Sequence, residues 1–310
     1  MDRRSILTGL GAGLTAAALP ARARAADALH IASIPLDAGA EAYYANDLGY
    51  FRDAGIDAQV DSIASGAAIL SAVASGAVDI GFSNLLSIAV AYKHNIPVTL
   101  LAPGSLYTAS IPTSVLMVPK DSPAKTARDL NGKTLGVNGL KTITQYAPQL
   151  WIDKNGGDSS TVKFVEMTFP QIIEALGTNR IDAAIVAVPF ITAAKAGARI
   201  LSDAYDAIGS RYIIGCWFST TQWAASHANL AGRFAQVIAK TAQWANTHKA
   251  QSGNILAKYG KLDPADVGKM LRVDYAPGFV KSEMQGVIDL AARYGGLPAS
   301  FPADELIYKP

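Results

Sequence analysis

Residues 69–82, Ile69-Leu-Ser-Ala-Val-Ala-Ser-Gly76-Ala-Val-Asp79-Ile-Gly-Phe82, decide the fold, because their pattern returns at residues 172–185 as Ile172-Ile-Glu-Ala-Leu-Gly-Thr-Asn179-Arg-Ile-Asp182-Ala-Ala-Ile185. In each copy a pair of apolar residues one helical turn apart, Ile69 with Val73 and Ile172 with Leu176, marks the buried stripe of a helix. Gly76 or Asn179 then ends that helix where a left-handed residue is wanted, and an aspartate precedes a run that reads as a buried strand. Helix followed by buried strand, twice in one chain, suggests two lobes built alike.

Working outward, residues 29–34, 58–63, 78–82 and 98–102 read as strands, and residues 43–54, 67–75 and 85–94 as the helices between them. Strand and helix in alternation imply a parallel sheet. A second series follows a strand-like stretch at 114–118: a helical turn at 124–130, strands at 134–137, 162–166 and 183–186, and helices at 142–155, 170–177 and 190–196. The last third is helical, with Leu230, Phe234, Val237, Ile238 and Trp244 on one apolar stripe and Val280, Met284, Val287, Ile288 and Ala291 on another. No low-complexity linker separates the lobes, so the chain is expected to cross between them on strands, outward at 114–118 and back at 212–219, as a hinge. The expected division is residues 26–113 plus 219–310 as lobe one and 114–218, with the crossings, as lobe two.

The chain has 310 residues, half of them hydrophobic and 17% charged, which excludes a disordered chain and a disulfide-stapled miniature. Four of its 27 basic residues (Arg3, Arg4, Arg22, Arg24) and one of its 25 acids fall in the first 25 positions, so the remainder carries 23 basic against 24 acidic residues. A net charge of −1 on the remainder indicates no nucleic-acid-binding face. The first 25 residues combine a basic start, an apolar stretch over 6–19 and Ala23-Arg24-Ala25, the three parts of an export signal cleaved after Ala25. Arg3-Arg4-Ser-Ile-Leu resembles a twin-arginine signal, although Asp2 stands at its first position, and Sec export is the alternative. The apolar stretch is shorter than the roughly 20 residues that span a bilayer.

Catalytic and cofactor motifs fail on context. His30, His94, His227 and His248 share no metal-site spacing with one another or with Cys216, so neither metal nor cofactor is expected. Gly9, Gly11 and Gly13 lie in the leader, and Gly132-Lys133-Thr134 lacks the first glycine of a P-loop, position 127 being Ala127. Ser122-Pro-Ala-Lys125 stands alone, without the partner motifs of penicillin-recognising enzymes. A lone Cys216 cannot form an internal disulfide and reads as a small core residue.

Open α/β sheets bind ligands beyond the carboxyl ends of their strands. The loops there offer Leu36, Asp37, Ser65, Gly66, Ala67, Ser83, Asn84 and Tyr107 from lobe one, and Asn138, Lys141, Thr142, Thr168, Pro189 and Phe190 from lobe two, with Trp217 as an apolar wall. Most are small, hydroxyl-bearing or aromatic, and Lys141 is the one basic side chain among them, which suits a small polar or anionic ligand.

These features resemble a known family. The stretch Ala42-Tyr-Tyr-Ala-Asn-Asp-Leu-Gly49-Tyr-Phe51-Arg-Asp-Ala-Gly55-Ile56 is similar to a signature of the substrate-binding proteins that serve nitrate, sulfonate and taurine ABC importers, a group related to thiamine-pyrimidine binding proteins. Ser75-Gly76-Ala-Val-Asp79-Ile-Gly81 and Asp129-Leu-Asn-Gly132-Lys133-Thr-Leu-Gly136-Val137 resemble two further family segments in the same order. The resemblance implies a type II periplasmic binding protein, two α/β lobes with a hinge and a ligand cleft between them, closing on a solute and delivering it to a permease. It implies that Ser65, Gly66, Ser83 and Asn84 hold the polar head, that Asn138, Lys141 and Thr142 face them, and that Val188, Pro189, Phe190 and Trp217 complete the wall. No arginine stands at these strand ends, which favours a monoanion or an uncharged heterocycle over a doubly charged solute. A periplasmic, non-enzymatic monomer that meets the membrane only through its permease is the expectation. A sulfinate desulfinase-like enzyme using Cys216 and a solute sensor are the alternatives.

Overall fold

The computed structural model describes residues 26–63 and 65–310, and the export signal expected over residues 1–25 lies outside the described residues. The described residues begin with β1 (Asp27–Ser33), α1 (Glu41–Asp47), α2 (Tyr50–Asp53), β2 (Ile56–Ser62), α3 (Gly66–Ala74), β3 (Ile80–Asn84), α4 (Leu85–Lys93), β4 (Val98–Pro103) and β5 (Ser105–Thr108). A second run comprises β6 (Ser114–Pro119), β7 (Thr134–Val137), α5 (Ile143–Lys154), β8 (Lys163–Glu166), α6 (Phe169–Gly177), β9 (Ala183–Ala187), α7 (Phe190–Ala194), β10 (Ala198–Ser202) and β11 (Arg211–Ile213). The chain closes with β12 (Gly215–Thr220), α8 (Thr221–Ser226), α9 (Ala228–Thr247), α10 (Lys249–Gly260), α11 (Pro264–Val267), β13 (Asp274–Tyr275) and α12 (Ser282–Arg293). The helix expected over 43–54 is divided between α1 and α2, because Gly49 takes a φ of +74° between them.

The two large sheets have one plan. The first has strand order β2-β1-β3-β12-β4 and the second, read from its matching edge, β8-β7-β9-β6-β10. Strands β1, β2 and β3 run parallel, as do β7, β8 and β9, and the fourth place in each sheet is held by an antiparallel strand that arrives from the other lobe. The repeated aspartate accounts for part of this likeness. Asp79 accepts the His30 backbone N–H at 2.8 Å and donates its own to the His30 carbonyl, while Asp182 does the same with Thr134 at 2.9 and 3.0 Å. Each thereby clasps the middle one of the three parallel strands of its sheet. Gly76 and Asn179 are left-handed, at φ of +76° and +54°, as their positions in the two motifs require. Gly81 is needed for contact rather than for φ: a Cβ there would lie 2.4 Å from Ile69 Cγ2 and 2.8 Å from Val73 Cγ2, so α3 could not pack on β3.

The crossings differ from expectation. β6 and β12 are interior strands, paired on both sides within the second and the first sheet respectively, so residues 215–218, expected in lobe two, pair in the sheet of lobe one. Crossing is made instead by β5 and β11, which pair antiparallel with Tyr107 opposite Tyr212, and β13 adds a third strand on the other side of β5. A short apolar run reads alike whether it bridges two lobes or fills a sheet interior, which is why the sequence could not separate the two cases. Trp217, Phe82, Phe234 and Ile238 are buried together in the core of lobe one. Val280, expected on the last helical stripe, is 46% exposed because it precedes α12, whereas Met284, Val287, Ile288 and Ala291 are buried.

This topology places both carboxyl edges at the hinge. Gly215 pairs with Asn84 at the end of β3, and Ser114 pairs with Ala187 at the end of β9. Each crossing strand therefore enters its sheet at the edge where the parallel strands stop, and the two edges bound the space that the hinge spans. Among the described residues no helix is long and apolar enough to cross a membrane.

Candidate functional site

At the edge of lobe one, Tyr43 ties β1 to β2: its hydroxyl donates to the Ser33 carbonyl at 3.0 Å and lies 2.9 Å from Ser62 Oγ. Ser33 Oγ donates to the Gly39 carbonyl at 2.6 Å, closing the loop that follows β1. Ser65 caps α3 through a long 3.4 Å bond from the Ala68 N–H, and Ser83 Oγ donates to the Gly66 carbonyl at 3.4 Å. A Cβ on Gly66 would sit 2.7 Å from Ser83 Oγ, so a larger residue there would displace that hydroxyl. Asn84 Oδ1 caps α4 by accepting the Ser87 N–H at 2.8 Å, which leaves its amide NH₂ as a donor at this edge. Leu36 is half-buried in the loop after β1, and Ala67 is exposed beside Ser65.

Three lobe-one candidates are committed elsewhere. Asp37 is 1% exposed and sits in a buried network: its carboxylate accepts from Arg272 Nε at 2.8 Å and from the Val273 N–H at 2.7 Å, while Arg272 also donates to the Tyr44 hydroxyl at 2.7 Å. The Tyr275 hydroxyl donates to the Asp37 carbonyl at 2.5 Å. Burial alone would disfavour the Arg272 cation, but the adjoining Asp37 carboxylate outweighs it and raises the guanidinium above its usual value. Tyr107 belongs to the hinge, stacked on Tyr212 at 5.1 Å and donating to Asp206 Oδ1 at 2.7 Å. Trp217 lies inside lobe one, where its indole N–H donates to Glu41 Oε2 at 2.8 Å. Asp37, Tyr107 and Trp217 are thus supports of the cleft and its hinge.

The edge of lobe two is formed by three loops. Thr142 caps α5 by accepting the Thr144 N–H at 3.3 Å, and its hydroxyl donates to the Gly139 carbonyl at 2.8 Å. Lys141 is left-handed at φ of +58°, fixed by a 2.7 Å bond from its N–H to Gln145 Oε1, and its side chain is exposed. Asn138 is exposed beside it. Thr168 and Gln171 make the capping box of α6, with Gln171 Oε1 accepting the Thr168 N–H at 2.9 Å. Phe190, after Pro189, stacks on Phe169. Apolar residues of both lobes, Ala40, Tyr43 and Tyr44 of the first and Ile172, Val186 and Val188 of the second, share one buried cluster, with Met167, Phe169 and Phe190 at its border.

Sequence reasoning missed three residues here. Arg272 is far along the chain from Asp37, with no local signal joining them. Glu41 reads as an ordinary acid in the first turn of a helix, yet it is fully buried, and its Oε1 has no hydrogen-bond partner. Burial drives its carboxyl well above the usual carboxylate range, the Trp217 hydrogen bond only partly opposing this. Phe169 fell just outside a helix expected to begin at Pro170, whereas α6 begins with Phe169 itself.

No group of three or more His, Cys, Asp or Glu side chains is placed to hold a metal ion among the described residues. Cys216 is completely buried in β12, and burial first, then the nearby Glu41, pushes its thiol up. Native protein is therefore expected to resist a thiol reagent until it unfolds, and rapid labelling of the folded chain would contradict this placement.

The model of the family described as NMT1/THI5 like matches residues 39–252. The taurine-binding periplasmic protein of Escherichia coli (strain K12) is 27% identical over 192 residues, which is 61% of this chain and 58% of that protein, so the match spans little more than half of the relative's length. Among solved structures, the periplasmic aliphatic sulphonate binding protein SsuA from Escherichia coli superimposes with a TM-score of 0.74 at 17% identity, over 92% of each chain. The periplasmic nitrate-binding protein NrtA from Synechocystis PCC 6803 gives 0.74 at 13% identity, over 90% of this chain and 84% of that one. These likenesses establish the fold as that of two-lobed periplasmic binding proteins.

Proposed function

The chain belongs to the NMT1/THI5-like family, and from that membership we propose that it is the extracytoplasmic solute-binding component of an ABC importer. It captures a small organic monoanion or polar heterocycle between its lobes and presents the closed, loaded form to a permease. The observation that carries this reading is the shared plan of the two sheets, each entered by a crossing strand at its carboxyl edge, so that capping and aromatic residues of both lobes border one hinged space. A solute touching both edges binds the closed form better and shifts the population toward it. The lobes divide near residues 113 and 214, and the protein acts as a monomer in the periplasm after export on a twin-arginine signal cleaved after Ala25.

The candidates that remain at the edges are Leu36, Ser65, Gly66, Ala67, Ser83 and Asn84 on one side and Asn138, Lys141, Thr142, Thr168, Pro189 and Phe190 on the other. Ser65, Ser83 and the Asn84 amide supply hydrogen bonds to a polar head, and Lys141 supplies the cation. Burial of Cys216 speaks against a cysteine-dependent enzyme, which would need an accessible thiolate. Lys141→Ala is expected to weaken a bound anion by about 1–3 kcal/mol in titration calorimetry, as for loss of a desolvated charge-assisted bond. Unchanged affinity would put Lys141 outside the site.

A further inference from the structure

Phe169 and Phe190 open α6 and α7, which follow β8 and β9, so both stand at the carboxyl edge of the second sheet. Their rings stack at 4.9 Å with an interplanar angle of 23°. Both are half-buried, at the border of the cluster that also holds Ala40, Tyr43 and Tyr44 of lobe one. In the sheet β7 lies between β8 and β9, so the loop bearing Lys141 emerges between the strands that lead to the two phenylalanines. None of the salt bridges among the described residues uses Lys141.

The rings are only partly buried by the protein, and Lys141 is exposed beside Leu140, whose N–H donates to the Glu166 carboxylate at 3.1 Å. Ring surface gains free energy on leaving water, and an ammonium gains from an anion. A flat ring carrying one anionic substituent meets both needs: its face stacks on the phenylalanine pair and its head turns to Lys141. Ring on ring adds a preference that an aliphatic chain of equal size cannot obtain. We infer that Phe169 and Phe190 form an aromatic seat which, with Lys141, selects arene carboxylates and arene sulfonates over their aliphatic counterparts. The inference rests on the solute-binding reading above and narrows it to the body of the solute.

Titration calorimetry on the purified full chain tests it with two matched pairs, benzoate against cyclohexanecarboxylate and benzenesulfonate against hexanesulfonate. The aromatic member of at least one pair is expected to bind about tenfold more tightly, and Phe169→Leu and Phe190→Leu each to remove about that factor while changing aliphatic affinity by less than about twofold. Lys141→Met is expected to weaken both members together. Equal loss for ring and chain in the phenylalanine variants, or no aromatic preference in the wild type, overturns the seat. If a variant does not fold, the wild-type preference decides alone. A protein that binds some other small solute but neither arene overturns the seat and leaves the solute-binding reading intact, whereas one that binds no solute overturns both.

Discussion

Replacing Arg272 with methionine is expected to lower stability by about 3–5 kcal/mol, the usual cost of stripping a buried carboxylate of its partner. Asp37 is 1% exposed and cannot move to water without unmaking the loop after β1, and Arg272 is 9% exposed. The substitution also removes one partner each from the Tyr44 hydroxyl and the Lys249 carbonyl, which Arg272 bonds at 2.7 and 3.0 Å. A fall in melting temperature on the order of 10 °C follows for a chain of this size. The pair Asp37→Asn with Arg272→Met is expected to be less damaging than the sum of its parts, because the uncompensated charge is gone. A melting temperature for Arg272→Met close to wild type would contradict the network. Its functional weight comes from position: the residues after Arg272 lead into β13, which pairs with the hinge strand β5, so the same contacts hold the cleft loop and brace the hinge.

Glu41 carries the second large effect, and this one depends on pH. Its carboxyl stands well above the 4.5 of an unfolded chain because burial disfavours the charged form. A group raised in this way contributes stability that is complete below the unfolded value and is lost as pH rises toward and through the folded one. Glu41→Gln keeps the shape and an oxygen for the Trp217 N–H but cannot ionise. The variant is therefore expected to match wild type near pH 4.5 and to exceed it at pH 8 by on the order of 1–3 kcal/mol, read as melting curves at the two pH values. Parallel pH profiles for the two proteins would show that Glu41 does not ionise on unfolding. The surroundings explain why the acid is not relieved locally: a Cβ at Gly104 would lie 3.1 Å from Glu41 Oε2 and 2.8 Å from Phe82 Cε2, so the pocket is already full.

Most of the architecture was legible in the sequence because it rests on local signals repeated in order. Gly76 and Asn179, Asp79 and Asp182, and the apolar stripes each report one element, and the repetition reports two lobes. The carboxyl-edge loops follow from strand order alone, so Ser65, Asn84 and Thr142 could be named as edge residues and are found there as helix caps. What escaped was contact between distant segments. Asp37 looked like a cleft side chain because nothing near it in sequence announces Arg272, and Trp217 looked like a wall because its partner Glu41 lies 176 residues away. The hinge was displaced for a related reason: β5 is four residues long and follows β4 after only Gly104, so strand and crossing merge in the sequence. Phe169 was lost to a boundary, since a proline in the first turn draws the expected helix start to itself.

The central claim, capture of a small solute between the lobes, is tested most directly by melting curves of the purified protein with a panel of arene and alkane sulfonates, aromatic carboxylates, nitrate and pyrimidines. A ligand that binds only the folded chain raises the melting temperature in proportion to its concentration over its Kd. The account predicts a concentration-dependent rise with at least one monoanion or heterocycle, the compound being recovered unchanged afterwards. No shift with any member of the panel would contradict the claim, and a shift accompanied by conversion of the compound would replace the receptor with an enzyme.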